Sequence, residues 1–156
     1  MYIERALEPL VRRYSENFKI VAVTGPRQVG KTTMLKHLME EEAESGVDRV
    51  YVTLDNTAIL QTAKEDPALF LQRYRPPVLI DEIQKAPELL PYIKMIVDER
   101  DDCGSVWITG SQPLHLMKAV SESLAGRVGI VEMLGLSHSE VAGTPSEPYP
   151  PSADYF

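Results

Sequence analysis

At 156 residues, with 44% hydrophobic and 25% charged side chains, the chain has the composition of a folded globular protein and is long enough to bury one core. A net charge of -7 argues against a broad basic surface for nucleic acid or anionic membrane, so neither partner is supported. The single cysteine, Cys103, allows no internal disulfide and reads as a small buried hydrophobe in a reducing cytoplasm, while no apolar run approaches the roughly 20 residues of a membrane helix or the core of a signal peptide.

In chain order, Ile3, Leu7, Leu10, Val11 and Tyr14 recur at helical spacing, with Glu4, Arg5, Glu8, Arg12 and Arg13 between them, which predicts an amphipathic helix over residues 1–16. Ile20, Val21, Ala22 and Val23 are short, largely β-branched and followed by Gly25-Pro26, as in a strand buried on both faces. Met34, Leu35, Leu38 and Met39 return to helical spacing from residue 31 to about 43, and Gly46 ends the run. A second strand spans residues 50–54 and ends at Asp55-Asn56. Helices are expected over residues 57–64 and after Asp66-Pro67. Pro76-Pro77 then launches a third strand, Val78, Leu79 and Ile80, which ends in Asp81-Glu82. Leu89, Leu90, Ile93, Ile96 and Val97 place a helix over residues 88–99 with one face on the sheet.

A fourth strand over residues 106–109 runs into Gly110-Ser111-Gln112, and Pro113 opens a helix to about residue 124. Gly126-Arg127 breaks it, and residues 128–134 form a fifth strand. Strands alternating with helices predict an α/β fold with a parallel sheet covered on both faces, as a three-layer sandwich. The core is expected over residues 1–142, with 143–156 a Pro-rich linker or frayed tail.

Chemistry concentrates at the strand ends. Gly25-Pro26-Arg27-Gln28-Val29-Gly30-Lys31-Thr32 follows an apolar strand and opens a helix, the arrangement that turns successive backbone N–H groups onto phosphate oxygens. In such a loop Lys31 reaches the β- and γ-phosphates, the Thr32 hydroxyl ligates Mg²⁺ and Thr33 contacts the α-phosphate of ATP. Asp81, held at the edge of a buried strand, is the expected second anchor of Mg²⁺, and Glu82 the candidate base or water-positioning group. Thr109, Ser111 and Gln112 either hydrogen-bond the γ-phosphate or the attacking water, or simply cap the turn. Arg127 is either an arginine finger for another subunit's nucleotide or a surface ion pair.

The motifs from Gly25 to Thr33, Val78 to Gln84, Thr109 to Gln112 and Leu124 to Arg127 resemble the prokaryotic AAA-type ATPases that carry a C-terminal nuclease-like domain of unknown function. The resemblance covers residues 2–140. It implies an AAA-type sheet in which the second, third, first, fourth and fifth strands lie side by side, out of sequence order, with ligand at their C-terminal edge. It further implies that Asp81 and Glu82 are the Walker B pair, that residues 109–112 are the sensor region and that Arg127 stands where the family has an arginine. Because the helical lid and the C-terminal domain of that family do not follow, a truncated product is expected, with weak nucleotide binding and slow turnover. The functional expectation is an ATPase coupling Mg²⁺-dependent hydrolysis to motion of an attached domain or partner, with homo-oligomers formed through Arg127. A nucleotide-controlled switch or inactive remnant is the second reading and a small-molecule kinase the third.

Overall fold

The computed structural model describes residues 1–111 and 113–143, the side chains of 113–117 excepted; Gln112 and the Pro-rich end from 144 lie outside the described residues. Five strands, β1 (Ile20–Thr24), β2 (Val50–Thr53), β3 (Val78–Asp81), β4 (Val106–Gly110) and β5 (Val128–Glu132), form one parallel sheet in the order β2-β3-β4-β1-β5. The order corrects the expected one by exchanging β1 and β4: β4, and not β1, is the neighbour of β3, and β1, and not β4, is the neighbour of β5. Residues β1, β3 and β4 are buried along their whole length, whereas β2 and β5 form the half-exposed edges. That pattern is why the central strands read as unbroken apolar runs.

The period of two along each strand splits the interior into two layers. Ile20, Ala22, Val78, Ile80, Val106 and Ile108 face one core with Phe70, Leu89, Leu90, Ile93 and Val97. These last come from helices α4 (Pro67–Arg73) and α5 (Leu89–Asp98), and α3 (Thr57–Glu65) packs on α4. On the other face Val21, Val23, Leu79 and Trp107 meet Val11 and Tyr14 of α1 (Glu8–Asn17) and Met34, Leu35 and Leu38 of α2 (Lys31–Glu44). Helix α6 (Pro113–Ser123) adds Val120 to the first core. Asn56 and Asp66 start α3 and α4 by accepting hydrogen bonds from backbone N–H groups of the first turns, so two short helices begin where polar turn residues stand.

Some boundaries differ from expectation for local reasons. The first helix begins at Glu8 and not at residue 1, because the Glu8 carboxylate folds back to accept from the Arg5 backbone N–H at 2.8 Å. Both Arg5 and Glu8 are buried, although they fall among the polar positions of the amphipathic pattern. Strand β5 stops at Glu132, which pairs with Thr24 at the end of β1, its one neighbour in the sheet; beyond it the Leu134 carbonyl accepts from the Arg5 guanidinium at 2.7 Å. Beyond it lies an unanticipated short helix, α7 (His138–Ala142), opened by a reciprocal cap between Ser137 and Glu140. Cys103 is exposed and not buried: it precedes Gly104, whose N–H reaches the Phe18 carbonyl at 2.7 Å and turns the chain tightly into β4. No helix among the described residues is long and apolar enough to cross a membrane.

Candidate functional site

The loop from Gly25 to Gly30 leaves the C-terminal end of β1 and enters α2. Gly25 has φ +147°, and a Cβ there would stand 2.1 Å from the Met133 carbonyl oxygen, which the N–H of Met133 bonded to the Thr24 carbonyl (2.7 Å) keeps in place. Gly30 caps α2 with φ +92°, and Gln28 also adopts a left-handed conformation. This tight turn brings Arg27, Gln28, Gly30, Lys31, Thr32 and Thr33 to one cavity of about 370 Å³. Asp55, Glu82, Lys85 and Ser111 reach the same cavity from the ends of β2, β3 and β4. Pro26 is exposed on the loop, and Val29 is partly buried against the α1–α2 core.

The Lys31 ammonium is buried and donates to the Gly25 carbonyl at 3.0 Å and to that of Pro26, curling over its own loop. Burial lowers its pKa, opposed by the negative charges of Glu82 and Asp81. Thr32 donates from its hydroxyl to Asp81 Oδ1 at 2.7 Å, joining the head of α2 to the end of β3. Asp81 is further held by the Thr109 hydroxyl at 2.6 Å and by the Tyr51 hydroxyl at 3.2 Å. Burial and the Asp81 carboxylate push the Tyr51 phenol up to about 12, so it stays a donor.

Glu82 follows β3 in a left-handed conformation, φ +63°, which lifts its side chain out of the strand direction. Its backbone N–H donates to Thr109 Oγ1 at 3.0 Å. Its carboxylate accepts from Ser111 at 3.0 and 3.1 Å and from the Gln84 amide. Gln84 lies in a single 3-10 turn, Ile83–Lys85, and its own Oε1 is buried without a protein partner. Lys85 pairs with Asp55 at the rim. Hydroxyl and carboxylate oxygens at Thr32 and Asp81 are the hard donors that Mg²⁺ takes, so this pair fits the ion.

Among the sequence-derived site residues, Arg27, Gln28, Gly30, Lys31, Thr32, Thr33, Glu82 and Ser111 line this cavity, with Asp81 joined to Thr32 beneath them. Gln112 lies outside the described residues. Arg127 is not brought to this site: it precedes β5 at the N-terminal ends of the strands, away from the loop, where its guanidinium forms two hydrogen bonds to Asp98, at 2.5 and 3.0 Å, and its carbonyl accepts from Ile20. Sequence reasoning missed Tyr51 and Arg5. Tyr51 reads as one more apolar strand residue, and nothing local marks its hydroxyl.

Arg5 is 6% exposed and spends its fork on three distant stretches of chain. It donates to the Val29 carbonyl inside the loop at 2.7 Å, to the Leu134 carbonyl at 2.7 Å and to Glu140 at 3.0 Å. Burial raises the Glu140 pKa, but the Ser137 and Ala6 backbone N–H groups and Arg5 outweigh it and hold the carboxyl at about 2. The sequence Ser137-His138-Ser139-Glu140 carries the capping-box spacing that could have disclosed α7.

A parallel β2-β3-β4-β1-β5 sheet with a glycine-bounded loop between β1 and α2 defines a P-loop NTPase fold. Solved structures agree: the DnaC helicase loader superposes with a TM-score of 0.56 at 16% identity, covering 81% of this chain and 87% of that one. The P-loop NTPase domain of an Escherichia coli sigma-54 activator gives 0.56 at 13%, covering 86% and 100%. A family model described as an AAA domain matches residues 17–142, and the chain belongs to that family. Uncharacterized proteins of Mycobacterium tuberculosis and Mycobacterium bovis are each 33% identical over 137 residues, 88% of this chain and 30% of theirs. The chain thus spans about three tenths of the length of these curated relatives.

Proposed function

We propose that this chain is the ATP-binding core of an AAA-type ATPase that hydrolyses ATP to ADP and phosphate and passes the resulting change in loop geometry to an attached domain or partner. The observation that carries this reading is the 2.7 Å bond between Thr32 and Asp81, which joins a phosphate-loop hydroxyl to a strand-end carboxylate within one cleft shared with Lys31 and Glu82. Backbone N–H groups of residues 27–31, at the positive end of α2, would hold the β-phosphate. Lys31 would exchange the Gly25 and Pro26 carbonyls for β- and γ-phosphate oxygens, and Thr33 would meet the α-phosphate. Thr32 and Asp81 would hold Mg²⁺, which when bound neutralises charge developing on the phosphate oxygens.

Glu82 is the group suited to accept a proton from the attacking water, with Ser111 and Gln84 orienting its carboxylate. Gln112 is assigned to the γ-phosphate sensor region on sequence grounds. Arg127, at the N-terminal ends of the strands and so away from the loop, would act only on the nucleotide of a second copy in a head-to-tail assembly. A C-terminal nuclease-like domain in the full protein is proposed as the output, and a cytoplasmic setting follows from the ATP requirement.

A second reading, a switch that binds nucleotide and scarcely turns it over, draws on the same Glu82 contacts: Ser111 and Gln84 already occupy the carboxylate. Two variants separate the readings. Lys31→Ala is expected to abolish binding of a fluorescent ATP analogue, and unchanged binding would refute the site. Glu82→Gln is expected to leave binding intact and stop phosphate release; a wild type that binds ATP without releasing phosphate would instead establish the switch.

A further inference from the structure

The strongest unassigned feature lies behind the phosphate loop. A planar trans peptide points its carbonyl and the following N–H in opposite directions. Arg5 grips the Val29 carbonyl at 2.7 Å from the interior side, so the Gly30 N–H of the same peptide is turned away from Arg5. Gly30 lines the cavity. With φ +92° and no side chain, Gly30 offers little resistance to rotation of that peptide, and the guanidinium supplies the missing restraint. Only 3.5 Å would separate a Gly30 Cβ from the nearer Arg5 nitrogen, so the fork lies directly against the final turn of the loop.

The same guanidinium reaches Glu140 of α7. Helix α7 buries none of its residues, and Val141 is 63% exposed. What holds it is polar: Glu140 accepts from Arg5 Nε (3.0 Å), from the Ala6 N–H (2.9 Å) and from the Ser137 N–H (2.6 Å). Among the described contacts, Glu140 alone ties α7 to the N-terminal segment, and no residue of the helix is buried, so the carboxylate's partners bear on its docking. Arg5 therefore stands between two groups that report on each other.

We infer that Arg5 is a positioning residue for the phosphate loop and that, through Glu140, it couples nucleotide occupancy to the docking of α7. The inference rests on the nucleotide-site reading above. By linkage, whatever α7 docking adds to nucleotide affinity, nucleotide returns to α7 docking. Arg5→Lys keeps the charge but not the three-way fork, and Glu140→Gln removes the anchor while preserving its shape.

The test measures, on the whole chain, the affinity for a fluorescent ATP analogue with Mg²⁺, the melting temperature, and amide exchange at Ala6 and Ser137 with and without ATP. Arg5→Lys and Glu140→Gln are expected to weaken binding by about tenfold, within the usual span of coupling between two sites. Val97→Ala, a core truncation facing the other layer, is expected to lower the melting temperature while leaving affinity unchanged. Added ATP should slow exchange at Ala6 and Ser137 in the wild type and do so much less in Arg5→Lys. Wild-type binding with undiminished affinity in both variants would overturn the inference and leave the nucleotide site standing, as would exchange at Ala6 and Ser137 that ignores ATP. A wild type that fails to bind the analogue would remove the nucleotide site itself.

Discussion

Gly25→Ala places a methyl group 2.1 Å from the carbonyl oxygen of Met133, far inside contact distance, on a backbone with φ +147°. Two costs add. Forcing a side chain into a glycine-only conformation costs about 1–3 kcal/mol, and overpacking against a fixed neighbour costs about 1–3 kcal/mol more. The neighbour is fixed because Met133 also donates its N–H to Thr24 at 2.7 Å, on the strand that feeds the loop. Gly30→Ala is the matched comparison: its φ of +92° is also unfavourable, but nothing lies closer than 3.5 Å. The difference between the variants is then the steric part alone, about 1–3 kcal/mol, or some 2–12 °C in melting temperature for a chain of this size. Thermal unfolding followed by circular dichroism measures it. Met133→Ala should not rescue Gly25→Ala, since the offending atom belongs to the backbone. Equal melting temperatures for the two glycine variants would refute the view that Met133 walls the loop.

Other outcomes follow from individual contacts. Glu140 has its folded pKa depressed from 4.5 to about 2, so the stability it contributes is present above about pH 4.5 and lost as pH falls through about 2; Glu140→Gln should flatten that part of an acid-unfolding curve. Thr109→Val removes a hydroxyl that donates to Asp81 and accepts from the Glu82 N–H, leaving a polar group short of a partner, and should cost about 1–3 kcal/mol in chemical denaturation. Arg127→Ala, at the far end of β1 from the loop, should leave nucleotide affinity of the dilute chain unchanged in a titration, and any loss of turnover should appear only at concentrations where copies associate.

The loop from Gly25 to Thr32 was legible because its determinants are local: a β-branched run, two glycines and a helix-forming segment follow one another without a gap. Asp81 and Glu82 were legible for the same reason, as polar residues ending an apolar strand, and the strand count came from the same alternation. Strand order was not, since β4 enters between β1 and β3 by pairing choices that adjacent residues do not record. The burial of Arg5 and Glu8 was equally hidden. By pattern they belong to the wet face of a helix, and only the arrival of Val29, Leu134 and Glu140 from remote parts of the chain makes an interior site for a guanidinium. Short-range chemistry thus marked where a phosphate would sit, whereas tertiary packing decided what holds that loop in shape and which distant helix feels it. A sequence period reports which face of an element is apolar, but a buried charge is viable only when partners from elsewhere fold around it.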